Sequence, residues 1–206
     1  MTQKSTTRKT YLIQGIAMCV CLVINMLGAS TTLFSHTIGD ISALYPTPLT
    51  PAPFTFSIWF LIFFQWIYDF IWNKRSISTL EYILNALWII LFCNEYIITS
   101  YFILLIMSLR MIYFYKGYVT YTTWLCVACS IQGYIVGGIT LFFFTVLTIL
   151  LVSIPLHSSQ EDILVNKNTT WKDKERLISL VPYVTSLGVI LWAIIGILVK
   201  QYTIHS

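Results

Sequence analysis

Apolar residues run in long blocks along this chain, and polar residues are confined to the stretches between them. Six blocks could cross about 30 Å of hydrocarbon as helices rising about 1.5 Å per residue. They are Tyr11 to Ala29, Phe54 to Trp72, Ile77 to Cys93, Ile97 to Tyr115, a stretch within Tyr118 to Ile154, and Leu180 to Val199. Lipid offers no partner to open backbone groups, and these blocks are too long and too evenly apolar for barrel strands, so the pattern predicts helices. The expectation is an all-α, polytopic transmembrane helix bundle forming a single domain over 1–206. A Pro-rich first loop covers 30–53, and a polar loop covers 156–177 before the last helix.

The fifth block holds 37 residues, more than one span needs. One long helix with an interfacial first stretch is the favoured reading. Two short spans turning near Gly133, Gly137 and Gly138 are the alternative. With six spans, Lys4, Arg8, Lys9, Lys74, Arg75, Arg110, Lys116 and Lys200 fall on one side, and Lys167, Lys172, Lys174 and Arg176 on the other. The first loop carries no Lys or Arg, so the positive-inside rule places both termini in the cytoplasm. Seven spans would move the four loop cations inside and leave only Lys200 out. The basic N-terminus, apolar run and Gly28-Ala29-Ser30 imitate a signal peptide, but the run is long and contains Gln14 and Asn25, which favours a retained span. In the six-span arrangement the sequon Asn168-Thr169-Thr170 faces outward.

Composition agrees with a lipid-facing chain. Of 206 residues 57% are hydrophobic and 10% charged, with a mean hydropathy of +0.79; soluble domains carry roughly 25% charged residues. The net charge of +4 sits at segment ends and forms no basic stripe, so nucleic acid is not an expected partner. Cys19, Cys21, Cys93, Cys126 and Cys129 all lie in apolar blocks and read as small packing residues. No HExxH, GxSxG, P-loop or GxGxxG is present, and no catalytic or metal set is expected.

Candidate chemistry concentrates between Ile24 and Asp69. Four of the six prolines fall within Pro46 to Pro53, and Pro51 and Pro53 lead into the second span. Fixed φ and missing N–H groups make this loop stiff. It is either a plain connection or a device that delivers the chain in a set direction. In the second span Trp59, Phe63, Trp66 and Phe70 recur at spacings of 4, 3 and 4 and form one stripe, suited to stacking on a flat ligand or on neighbouring helices. Glu81, Asn85 and Trp88 share a face of the third span. Asn85 needs a partner inside the bundle. Asp69, Glu81 and Arg110 lie toward the expected cytoplasmic helix ends, where Arg110 either pairs with one of the carboxylates or snorkels to the interface.

Several motifs resemble the tryptophan-rich sensory protein branch of the TspO/MBR (translocator protein) family. They are Ile24-Asn25-Met26-Leu27, Thr37-Ile38-Gly39-Asp40-Ile41-Ser42, Tyr45-Pro46, the run Leu49-Thr50-Pro51-Ala52-Pro53-Phe54-Thr55-Phe56-Ser57-Ile58-Trp59, Asn85-Ala86-Leu87-Trp88, Gly137-Gly138-Ile139-Thr140 and Trp192-Ala193-Ile194-Ile195-Gly196-Ile197. Gly138 stands where that branch carries Trp, and Val146 where it carries Asn. The resemblance implies five core helices, here with one more, and a pocket beneath the first loop. That pocket would take a porphyrin or haem, or a sterol-like lipid, for sensing, carriage or scavenging. By position it implies Asn25, Phe56, Trp59, Asn85 and Trp88 as pocket residues; Phe63 joins them from the stripe. A homodimer is compatible with such a bundle. The alternative function is a small-solute transporter or channel, which would want a polar path and an internal repeat. Porphyrin breakdown is implied by the family alone, and the residues supply no acid–base set for it.

Overall fold

A computed structural model describes the backbone of residues 8–30, 34–115, 118–165 and 172–205, and the side chains of these except 152–183 and 204–205. The sequon, Lys4, Lys116 and Lys167 lie outside the described residues. Every regular element described is helical: α1 Arg8–Gly28, α2 Ile38–Leu44, a 3₁₀ turn Pro53–Ser57 leading into α3 Ile58–Ile71, α4 Thr79–Cys93, α5 Ile97–Phe114, α6 Val119–Val165 and α7 Lys172–His205. Among the described residues five helical stretches are long and apolar enough to cross a membrane: Arg8–Gly28, Pro53–Ile71, Ile97–Phe114, Val119–Leu151 and Val184–Thr203. Apolar α4 is shorter, at 15 residues. These elements fall on the six apolar blocks of the sequence.

Three features depart from the sequence reading. The fifth block, expected as one helix, is broken: Gly137 (φ −138°, ψ 20°) and Gly138 (φ 63°, ψ −154°) leave helical geometry inside α6. Only glycine adopts the Gly138 conformation without strain, and an apolar count over the block cannot register it. The branch's Trp at that position is therefore incompatible with this backbone. Secondly, helix continues through 156–165 and resumes at Lys172, across most of the segment expected as a polar loop. Polar residues there do not stop a helix, because it lacks the Gly and Pro that would end one.

Thirdly, the first loop contains α2. Its start is a reciprocal cap: the Asp40 backbone N–H donates to Thr37 Oγ1 at 3.0 Å, and the Thr37 N–H donates to Asp40 Oδ2 at 2.9 Å. That N–H is the main cause holding the Asp40 carboxyl below its ordinary 3.8, with the Thr37 side chain second. A depressed carboxylate pKa contributes stability that is present above the unfolded value and lost as pH falls through the folded one. Acidifying from about pH 5 to about pH 3 is expected to lower the melting temperature of the wild type more than that of Asp40→Asn. Equal pH dependence would show that the cap carries no such linkage.

α4 ends without a glycine. Glu95 takes φ 64°, while its N–H donates to Phe92 O at 3.1 Å and the Tyr96 N–H to Leu91 O at 2.9 Å. These bonds satisfy carbonyls that the helix end would otherwise leave open. The Glu95 carboxylate also meets His36 Nε2 at 2.9 Å.

The chain divides into two compact units, Met1–Leu44 with Phe56–Ile103, and Tyr45–Thr55 with Leu104–Ser206. In the first, α1 packs along α4, and α2 also touches α4. The Tyr11 ring of α1 stacks on Phe70 of α3 at 4.2 Å, and its hydroxyl donates to the Phe70 carbonyl.

In the second unit, α6 packs on α7, with Thr123 and Ser186 hydroxyls 3.0 Å apart. Within α5, α6 and α7 many hydroxyls bond back to their own helix, as Ser108 does to Leu104 O at 2.8 Å and Ser130 to Cys126 O at 2.9 Å. Such bonds let hydroxyls sit in an apolar bundle at little cost.

Candidate functional site

The proposed pocket residues Asn25, Phe56, Trp59, Phe63, Asn85 and Trp88 all belong to the first unit. On α1, Asn25 lies one turn after Cys21. On α4, Asn85 lies one turn before Trp88. The Asn25 Nδ2 donates to Asn85 Oδ1 at 2.8 Å and to the Cys21 carbonyl at 2.9 Å. The Cys21 thiol donates to the same Asn85 Oδ1 at 3.3 Å. Asn25 is 5% exposed and Asn85 fully buried. The partner that the sequence demands for Asn85 is thus an amide on a different helix, which also fixes the α1–α4 register. Asn85→Leu removes the acceptor and leaves the Asn25 amide short of one partner. Interhelical bonds of this kind contribute about 0.6–1.7 kcal/mol, so a similar loss in denaturation by a graded detergent is expected. Adding Asn25→Leu to the variant should restore part of the loss, because the orphaned donor is then gone.

The aromatic stripe of α3 meets α4 as a continuous ladder. Trp59 stands 6.0 Å from Trp88 with their planes 30° apart. Trp59 lies 5.5 Å from Phe63, and Phe63 lies 5.6 Å from Trp66. Trp66 meets Tyr82 edge-on at 5.2 Å, and Trp88 stacks on Phe92 at 5.5 Å. These separations fall in the attractive range for ring pairs, about 4.5–7 Å. Phe70, the last residue of the stripe, stacks instead on Tyr11. Phe56 is half-buried in the 3₁₀ turn.

Of the charged residues expected at the helix ends, Glu81 is fully buried in the first turn of α4, where the helix dipole favours negative charge. Asp69 accepts from Asn73 Nδ2 at 2.6 Å. Arg110 belongs to the second unit, and there its guanidinium lies 5.4 Å over the Phe114 ring. Pro51 and Pro53 also belong to the second unit, Pro51 buried and Pro53 exposed.

The proline segment is tightly organised. Thr47 N–H donates to Thr50 Oγ1 at 2.8 Å, Thr50 N–H to Thr47 O at 3.0 Å and Leu49 N–H to Thr47 Oγ1 at 3.2 Å. α7 holds the segment along its length. The Trp192 Nε1–H donates to Thr55 O at 3.0 Å, and the Ala52 N–H donates to Gly196 O at 2.9 Å. Further on, Gln201 Nε2 donates to Pro48 O at 3.0 Å. Phe54 meets the Trp192 ring edge-on at 5.3 Å.

A family model described as TSPO-like protein matches residues 11–173. The chain belongs to the TSPO-like protein family. The match takes in α1 to α6 and ends at the start of α7, so the clamp on the proline segment comes from a helix beyond it. Comparison with curated proteins and with solved structures gives no match. Membership and the apolar helices together make this TSPO-like chain an integral, multi-pass membrane protein.

Sequence reasoning missed Cys21 as the third member of the amide cluster, although its spacing of four from Asn25 on one helix face was available. Phe92, four residues after Trp88, gave the same signal. Tyr82 gave none, because its contact with Trp66 joins different helices.

Proposed function

We propose that this TSPO-like protein binds a flat hydrophobic ligand, a tetrapyrrole or a sterol-like lipid, and acts as a sensor, carrier or scavenger of it. The observation that carries the reading is the ring ladder Phe92–Trp88–Trp59–Phe63–Trp66 beside the amides of Asn25 and Asn85. Ring faces suit the face of a macrocycle or a fused-ring lipid. Each ring pair contributes only about 0.5–1.5 kcal/mol beyond area burial, so exchanging a ring–ring contact for a ring–ligand contact is energetically close to even. The amides give the otherwise apolar site its hydrogen-bonding groups.

The test is a fluorescence titration of purified protein with protoporphyrin IX. Saturable quenching is expected in the wild type, with roughly tenfold weaker affinity when Trp59→Phe and Trp88→Phe are combined, equivalent to about 1.4 kcal/mol. Absence of saturable quenching, or an unchanged affinity in the double variant, would remove this reading.

A second reading, small-solute transport, draws on the break at Gly137–Gly138. Interrupted helices supply backbone groups to substrate and ion sites in secondary transporters. Solute flux into proteoliposomes without tetrapyrrole, lost in Gly138→Ala, would favour it over ligand binding.

A further inference from the structure

We infer that α7 is a strap that aims the proline segment, with Trp192 as the positioning residue for the 3₁₀ turn that carries Phe56. The sequence leaves that segment either a plain connection or a device that delivers the chain in a set direction. Its prolines decide stiffness only. Pro46, Pro48 and Pro51 have no N–H to donate, residues 45–52 form no regular helix, and their remaining backbone groups need partners from elsewhere. The bonds between Thr47 and Thr50 are internal to the segment and set no direction.

Direction comes from α7, which belongs to the same compact unit. Trp192 Nε1 holds Thr55 O, the Gly196 carbonyl holds the Ala52 N–H, and Gln201 Nε2 holds Pro48 O. The order is reversed along the two pieces, so the segment runs antiparallel to the helix over the stretch from Gln201 to Trp192, about 14 Å of helix axis. A helical carbonyl has a second lone pair for such a bond, and the missing side chain at Gly196 lets the segment reach it. The strap ends next to a proposed pocket residue. Thr55 O belongs to the peptide group that joins Thr55 to Phe56, so the Trp192 indole fixes the plane from which Phe56 continues. One turn back, the Thr55 N–H donates to Ala52 O at 3.0 Å, and the Ala52 N–H is the one held by Gly196. Both ends of that turn are therefore tied to α7, and Phe54 closes edge-on against the Trp192 ring. The turn passes directly into α3, where Trp59 lies three residues beyond Phe56. The family match stops at residue 173, so the strap lies outside the matched region. The effect on ligand rests on the function proposed above; the strap itself does not.

The test is amide hydrogen exchange of the full-length protein in lipid nanodiscs, read by peptide mass spectrometry. Trp192→Phe keeps a ring facing Phe54 and deletes the donor to Thr55 O. Gln201→Leu deletes the bond to Pro48 O from the other end of the strap. Each is expected to speed exchange in residues 45–57 several-fold, and to leave residues 82–93 of α4 unchanged. Tyr202→Ala, beside Gln201 but 77% exposed, should change neither region. Unchanged exchange in both strap variants, or an equal rise in 82–93, would overturn the strap. The second arm follows the absorbance of protoporphyrin IX, which does not depend on the number of tryptophans. Affinity is expected to fall several-fold in Trp192→Phe, and an unchanged affinity would overturn its role in positioning Phe56. A wild type that binds no protoporphyrin would remove the ligand reading and the positioning role with it, whereas the exchange arm would still decide the strap.

Discussion

Gly196→Ala is expected to lower the melting temperature of the detergent-solubilised protein by on the order of 10 °C and to open residues 45–55 to protease. A Cβ at Gly196 would collide with Thr55 Oγ1 and lie 3.0 Å from its Cβ and 3.1 Å from its Cγ2. Thr55 is fully buried and cannot swing aside. Nor can its backbone drift freely, because Trp192 Nε1 donates to Thr55 O and the Ala52 N–H donates to Gly196 O. Overpacking of this kind costs about 1–3 kcal/mol, and each hydrogen bond that opens adds about 1 kcal/mol. Removing the obstructing hydroxyl supplies the control. Gly196→Ala combined with Thr55→Ala should recover much of the loss, since the remaining approach is the 3.0 Å contact with the Thr55 Cβ. Strict additivity of the two substitutions would mean that α7 and the proline segment do not meet at this point.

Trp66→Ala is expected to be the most damaging substitution in the aromatic ladder. Trp66 is 1% exposed and stands between Phe63 and Tyr82. Truncating a buried Trp costs about 3–5 kcal/mol, combining lost contacts with an unfilled cavity. In lipid the transfer part of that cost shrinks, but the packing part remains, because helix association there rests on van der Waals contact. Trp72→Ala is the comparison: Trp72 is 65% exposed and should change stability by no more than about 0.5 kcal/mol. Unfolding in a graded detergent series, followed by circular dichroism, checks both. Similar losses in the two variants would deny the ladder a structural role.

Much of the fold was legible because a bilayer imposes a simple rule. An apolar block of sufficient length must satisfy its own backbone and so becomes a helix. That rule places α1, α3, α4, α5 and α7 with little else. It is ambiguous inside the fifth block, where the glycines near 137 allow a turn and the backbone angles of Gly137 and Gly138 decide for a break. It is silent on 156–165, where a polar stretch remains helical.

The candidate site was legible where helical spacing sufficed. Trp59, Phe63 and Trp66 form a stripe, and Glu81, Asn85 and Trp88 a face, by their spacing alone. The pairing of Asn25 with Asn85, 60 residues apart in the chain, was a demand for a partner without an address.

The order of apolar blocks by itself determined that this is a membrane-embedded helical chain, since hydrocarbon leaves the backbone no other solution. Which helix answers which could be decided only by the tertiary structure. Contacts such as Trp59 with Trp88, Cys21 with Asn85, and α7 with the proline segment depend on helix rotation and register. Those are fixed by the fit of many side chains at once, and the period of a single helix does not encode them.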